Sequence, residues 1–345
     1  MFNEINYTQH ATFPLLSGTI TKFKSTMKTF IKTVFSLYLI AFAISTAYGQ
    51  KTSKTFTGIK KISLSTSSGN CKLIKGTTDE VQVSVTDTYS TNDFKPIMEQ
   101  DGITLELKED FAKRGSYSGS SSWELTIPDN MEVRFSSGSG NCEASDIAVK
   151  ISGNTGSGNY RWKSIKGDSR INTGSGDISI ENFQGEIDLN TGSGDVDITK
   201  SEGDVHANSG SGQINLVGVK GKISANVGSG NIIGKELLLT GKGNFNSGSG
   251  DVNIKLGSAP AYNISVNSGS GDALLDFNGN KIDGKVIMTV NKRNGKIVAP
   301  FPFDKTEELN GGGDDNVRIQ KTAQLGTKDI EIKISSGSGT AEIKK

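Results

Sequence analysis

The sequence predicts an all-β chain wound as a parallel β-helix, a β-solenoid with 18–21 residues per coil, and three patterns carry that prediction. First, the tripeptide Gly-Ser-Gly recurs at Gly138, Gly156, Gly174, Gly192, Gly210, Gly228, Gly248 and Gly269, at intervals of 18 residues that lengthen to 20 and 21. Self-similarity at a short fixed period marks a solenoid, in which each coil buries its apolar sides only against its neighbours. Second, with the first glycine as position 1, position 5 holds Cys142, Tyr160, Ile178, Val196, Ile214, Ile232, Val252 and Ala273, and position 7 is apolar or glycine from Ala144 to Leu275. Two apolar positions around one polar residue describe a short strand with one buried face. Third, a second alternating stretch closes the coil, as in Gly185–Asn190 and Gly221–Asn226. Each coil therefore reads as turn, strand, turn, strand, with glycine expected at the corners for its tolerance of positive φ.

The 345 residues include 43 glycines, and only 33% are hydrophobic, a composition that a disordered chain could share. The strict phase of Ile, Val and Leu opposes disorder, because an unfolded tract has no reason to keep register. Residues 1–26 are polar and precede Met27, where a secretory signal pattern begins, so they read as a non-native upstream extension. Residues 27–49 carry two lysines, an apolar run from Val34 to Ile44 and the small-residue site Ala47-Tyr48-Gly49, which predicts cleavage before Gln50. That run is too short to span a bilayer, which takes about 20 residues, and the mature chain has no transmembrane span. The residue directly after the cleavage site is Gln50 and not cysteine, which argues against a lipid anchor. Removing residues 1–49, with four lysines and one glutamate, leaves 34 basic against 36 acidic residues. No basic stripe is present, so a nucleic-acid partner is not expected.

Residues 50–345 read as one β-helix domain, with irregular coils over 50–137, regular repeats over 138–276, and an insertion plus final coil over 277–345. In the first part, Lys61–Ser65 and Val81–Val85 alternate, and Ser68–Ile74 is a degraded copy of the repeat. Residues 114–122 read as an exposed loop before the strand Trp123–Ile127, and Pro128 suits a strand end. After Asp276 the spacing breaks; Phe301 and Phe303 are expected to cover apolar core at the open end of the stack, and Ile330–Ile343 restores the repeat.

The runs Asn172–Ile178 and Asn190–Val196 resemble the repeat of a bacterial adhesin-like family with Gly-Ser-Gly-Asp repeats, a domain of unknown detailed function. The resemblance covers the chain from about residue 55 onward. It implies an exported or membrane-attached, right-handed β-helix and supplies no catalytic residues. This chain departs from it at position 4, where Asn141, Asn159, Gln213 and Asn231 alternate with Asp177, Asp195, Asp251 and Asp272.

Asn154, Asn172, Asn190, Asn208, Asn226, Asn246 and Asn267 stand two residues before Gly-Ser-Gly and are expected to form a structural amide ladder from coil to coil. The serines of the tripeptide, from Ser139 to Ser270, are expected to form a companion row. The stacked carboxylates at position 4 could in principle take calcium, but Asn and Gln dilute them and the nine-residue calcium repeat is absent; neither metal nor cofactor is expected. Gly279–Val286 is a near miss for a phosphate loop, with Val286 where a hydroxyl residue is required. His206 falls at an outward position, which opposes a serine–histidine site. Cys71 and Cys142 share position 5 after Gly-Asn. If their coils are adjacent, their Cα atoms lie about 5 Å apart, within disulfide range; if the strand near Leu105 or Leu125 intervenes, both remain buried thiols.

These features point to a non-enzymatic, exported protein of the cell envelope or surface. Its partner would be a surface polymer, glycan or envelope protein, held on an outward polar strip that includes Asp177, Asp195, Asp251 and Asp272. Two rivals share the fold: a carbohydrate-active lyase or hydrolase, which would need long turns walling a cleft, and a purely structural envelope component.

Overall fold

A computed structural model describes residues 49–113, 115, 117–310 and 317–345. The upstream extension over 1–26 and the signal segment over 27–49, Gly49 excepted, lie outside the described residues, as do Arg114, Ser116 and the loop 311–316. Among the described residues the first strand is Gln50–Phe56.

Each regular coil runs from Gly-Ser-Gly into a short strand at positions 5–8, such as Ile178–Glu181 or Val196–Thr199, and returns through a second at positions 14–18, such as Ile187–Thr191 or Val205–Ser209. Equivalent strands pair in parallel and in register: Tyr160 is flanked by Cys142 and Ile178, and Ile171 by Gly153 and Leu189. A third, narrow side joins the two. Isolated bridges connect Lys166, Gln184, Glu202 and Lys220, and position 10 turns Ile147, Ile165, Phe183, Val219 and Leu237 into the core. With one inward apolar residue in most coils, and a second only at Val149 and Leu239, this side leaves no sustained period-two trace, so the pattern of two strands per coil was incomplete. The turn before it holds Asp146, Ser164, Asn182, Lys200 and Glu236 at φ of 50–57°. A non-glycine residue there carries a strain of about 1–2 kcal/mol.

The Gly-Ser-Gly glycines have a different physical cause from the one expected. None has φ in the left-handed region. A Cβ on Gly158 would sit 1.9 Å from the Gly140 carbonyl oxygen, and one on Gly176 1.9 Å from that of Gly158. It is the close approach of one coil to the next that excludes any side chain.

The stacking order is not the chain order at either end. The coil of Lys61–Thr66 and Asn70–Lys75 lies between the coil of Met131–Ser137 and Cys142 on one side and the strands Thr104–Phe111 and Ser121–Ile127 on the other. At the far end, Glu331–Ser336 and Thr340–Lys344 slot between the coil of Ile264–Asp276 and the strands Gly284–Asn291 and Lys296–Val298. The expected final coil is therefore last in sequence but not in space. Antiparallel strands finish the stack: Val81–Asp87 and Gln50–Phe56, and Phe94–Asp101, at one end, and Val317–Leu325 and Lys305–Asn310 at the other. Phe301 and Phe303 stand edge to face at 5.6 Å and pack, partly buried, against the core.

The inward side chains form one continuous hydrophobic cluster. Because the core is thin, a large side chain needs space opposite: the Tyr160 ring lies where a Cβ on Gly153 would fall, 2.5 Å from its nearest atom. Cys71 and Cys142 are register partners in adjacent coils. Both are buried, and in this structure both are free thiols. The neighbouring Cys142 thiol, through a hydrogen bond, and burial push the Cys71 thiol well above its ordinary range.

Candidate functional site

Two polar ladders flank the Gly-Ser-Gly corner, one on each adjoining sheet. On the sheet of positions 14–18, strand alternation turns position 17 outward, and its asparagines stack in register. The Nδ2 of Asn172 donates to Oδ1 of Asn154 at 2.9 Å, Asn190 to Asn172 at 3.1 Å, and Asn208 to Asn190 at 2.9 Å. Asn226, Asn246 and Asn267 continue at 3.0, 2.8 and 2.7 Å, and the Ser335 hydroxyl closes the ladder on Asn267 at 2.7 Å.

On the other sheet, position 4 forms a ladder of side chain to backbone. The N–H of Asp177 donates to Oδ1 of Asn159 at 2.7 Å, that of Asp195 to Asp177 at 3.0 Å, and that of Gln213 to Asp195 at 2.7 Å. Asp272 donates in the same way to Asp251 at 2.8 Å, and Thr340 to Asp272 at 2.6 Å. Asn and Asp interchange here because the contact asks only for one acceptor oxygen on a short side chain. The four aspartates are exposed, yet each accepts an N–H from the next coil, so alanine there removes a coil-to-coil contact.

The hydroxyl row lies elsewhere than expected. The tripeptide serines are exposed, while position 18 supplies the buried hydroxyls of Thr173, Thr191, Ser209, Ser247 and Ser268. Thr173 Oγ1 donates to the Gly158 carbonyl at 3.2 Å and accepts the Gly176 N–H at 3.0 Å; Ser209 does the same with Gly194 and Gly212. The sequence carried this signal, a Ser or Thr immediately before nearly every Gly-Ser-Gly, with Val227 the exception.

Along the asparagine side of the corner runs a shallow open groove of about 730 Å³, lined by Thr66, Ser136, Ser137, Gly174, Gly192 and the Asn-Thr pairs at 154–155, 172–173 and 190–191. No charged side chain lines it. Of the charges beside it, Arg170 Nε lies 2.9 Å from Asp188 Oδ2, while Arg134, two residues before Ser136 on the same outward face, is exposed. Elsewhere on the outward faces opposite charges also meet from coil to coil, as in Glu143 with Arg161 and Lys163 with Glu181.

Two sites considered from the sequence resolve differently. Asp188, His206 and Ser224 fall in one register row, but the Asp188 carboxylate is engaged by Arg170 and by Asn190, and Ser224 contacts Asn226. The phosphate-loop near miss is a pinning device: Asp283 accepts the N–H groups of Thr327 and Lys328 at 2.8 and 3.0 Å and pairs with Lys281. The Lys328 N–H, then the Lys281 ammonium and the Thr327 N–H, lower its carboxyl to about 2. No described group of three or more His, Cys, Asp or Glu side chains converges as a metal site, and no described helix is long and apolar enough to cross a membrane.

The class defined by this geometry is an all-β solenoid of parallel coils with a polar corner. The profile of the Toastrack DUF4097 family matches residues 59–285, and the chain belongs to that family. No curated protein matches. Among solved structures, the chain is similar to a candidate cell adhesion protein from Clostridium sporogenes, with 15% identity over 86% of this chain and 99% of that one and a TM-score of 0.21. It is also similar to a candidate adhesin from Parabacteroides distasonis, with 12% identity over 86% of this chain and 97% of that one and a TM-score of 0.33.

Proposed function

We propose that this chain is an exported, non-enzymatic β-solenoid that acts by adhesin-like contact with a surface polymer, a glycan or an envelope protein, through the outward polar rows beside the Gly-Ser-Gly corner. The supporting observation is the corner itself. One short turn recurs coil after coil, so the side it borders is an open ladder and not a walled cleft in which acids and bases converge. Asp177, Asp195, Asp251 and Asp272 each commit one oxygen to the next coil and turn the rest of an exposed carboxylate to solvent. Such contacts are weak singly and strong in series, since a polymer bound at one coil meets the next at high effective concentration.

The test replaces all four aspartates with asparagine, which keeps the acceptor oxygen and removes the charge. The chain should stay folded, and attachment of the producing cells to a surface or to one another should fall. Unchanged attachment with a folded variant rejects that row. Depolymerisation of a polysaccharide by the purified chain rejects the non-enzymatic reading as a whole.

A further inference from the structure

We infer that the asparagine groove over Ser136–Asn190 binds a neutral polysaccharide chain laid along the stack axis; this names the ligand class for the surface role proposed above and rests on it. Geometry selects a polymer. The groove crosses three coil steps, about 14 Å at the usual strand spacing, and is shallow and open along its length. A drug-sized molecule needs about 70–90% of its surface buried, which such a groove does not offer, whereas a long chain collects contacts coil by coil.

Hydrogen-bonding capacity selects hydroxyls. An amide has two N–H donors and two acceptor lone pairs. Asn190 spends both donors, on Asn172 and on Asp188. Asn172 spends one, on Asn154, and Asn154 only accepts. The groove therefore presents unspent donors and acceptors side by side at coil spacing, matching a ligand whose groups both give and take hydrogen bonds. Charge selects neutrality: the lining carries no ionic side chain, and Arg170 and Asp188 beside it satisfy each other. Within the groove an anionic polymer, nucleic acid included, finds no cation to replace its counterions; Arg134 stands at its edge. An extended peptide would need a free sheet edge or pockets for side chains. Here the strands on both sides are paired, and the lining offers hydroxyls, amides and backbone.

The experiment measures retention of the full chain on immobilised neutral glucan, mannan and galactan, with polygalacturonate alongside, at low and high salt. Retention on a neutral chain, unchanged by salt because no screened charge is involved, supports the inference. So does a loss of at least about tenfold in Ser136→Glu, equivalent to removing one good contact; this change puts a charge in the groove without cutting the amide ladder. Asn172→Asp serves as the second variant should Ser136→Glu not fold. Preference for polygalacturonate, retention abolished by salt, no retention on any polysaccharide, or full retention by both folded variants overturns the inference. The surface reading fails separately, when cells with and without the chain attach equally.

Discussion

At the scale of single residues, the glycines of the corner are set by distance and not by backbone angle. The Cβ of an alanine at Gly176 would meet the Gly158 carbonyl at 1.9 Å, and that contact is backbone, which cannot swing away as the end of a flexible side chain would. Gly176→Ala is expected to destabilise the chain by about 3 kcal/mol or more, as overpacking against fixed atoms does. Ser175→Ala, one residue earlier and exposed, is expected to change stability by less than about 0.5 kcal/mol. Denaturant unfolding of the two variants checks the contrast, and equal effects would mean that the corner tolerates a side chain.

At the scale of the element, the strand ends at position 4 depend on an acceptor and not on a charge. Asp195 Oδ1 takes the Gln213 N–H at 2.7 Å, so Asp195→Ala removes an acceptor and is expected to lower stability by about 1–2 kcal/mol. Asp195→Asn keeps the acceptor and is expected to lie within about 0.5 kcal/mol of the parent. Chemical denaturation of both variants distinguishes the readings: if alanine and asparagine behave alike, the side chain is not holding the next coil. The interchange of Asp and Asn, legible in the sequence as a departure from the repeat, thus has a structural cause that the sequence did not show.

At the scale of the whole molecule, the ends of the stack are closed by strands that the chain adds outside its own first and last coils. Asp283 pins the C-terminal closure by accepting N–H groups from the link into the last coil. Its carboxyl titrates at about 2 in the folded chain against an ordinary 3.8. The sign follows from a lowered folded value: the stabilisation is complete above the unfolded value near 4 and is lost as pH falls through about 2. Melting temperatures between pH 5 and 2 should therefore drop more steeply in the parent than in Asp283→Asn, which keeps an acceptor but cannot be protonated in that range. Identical slopes would place the acid sensitivity elsewhere.

Sequence alone determined the solenoid, because burial on a stack of coils forces a period, and residues such as Ile178, Val196 and Ile214 wrote that period in apolar side chains. The asparagine positions were legible for the same reason: a repeated outward residue must lie above its copy. Tertiary structure decided what periodicity cannot encode. The third side rests on one inward apolar residue in most coils, too few to make a pattern. The stacking order at the ends depends on which coil edges meet, and strands of similar alternation fit several orders. The cysteines show the limit of register: Cys71 and Cys142 came out adjacent, as a shared position allows, and adjacency by itself does not decide between thiols and a bond. The groove, finally, exists only where Ser136, Asn154, Asn172 and Asn190 line up across four coils, and its neutrality comes from a lining without charged side chains. These residues are separated by up to 54 positions in the chain and become one surface only when the coils stack.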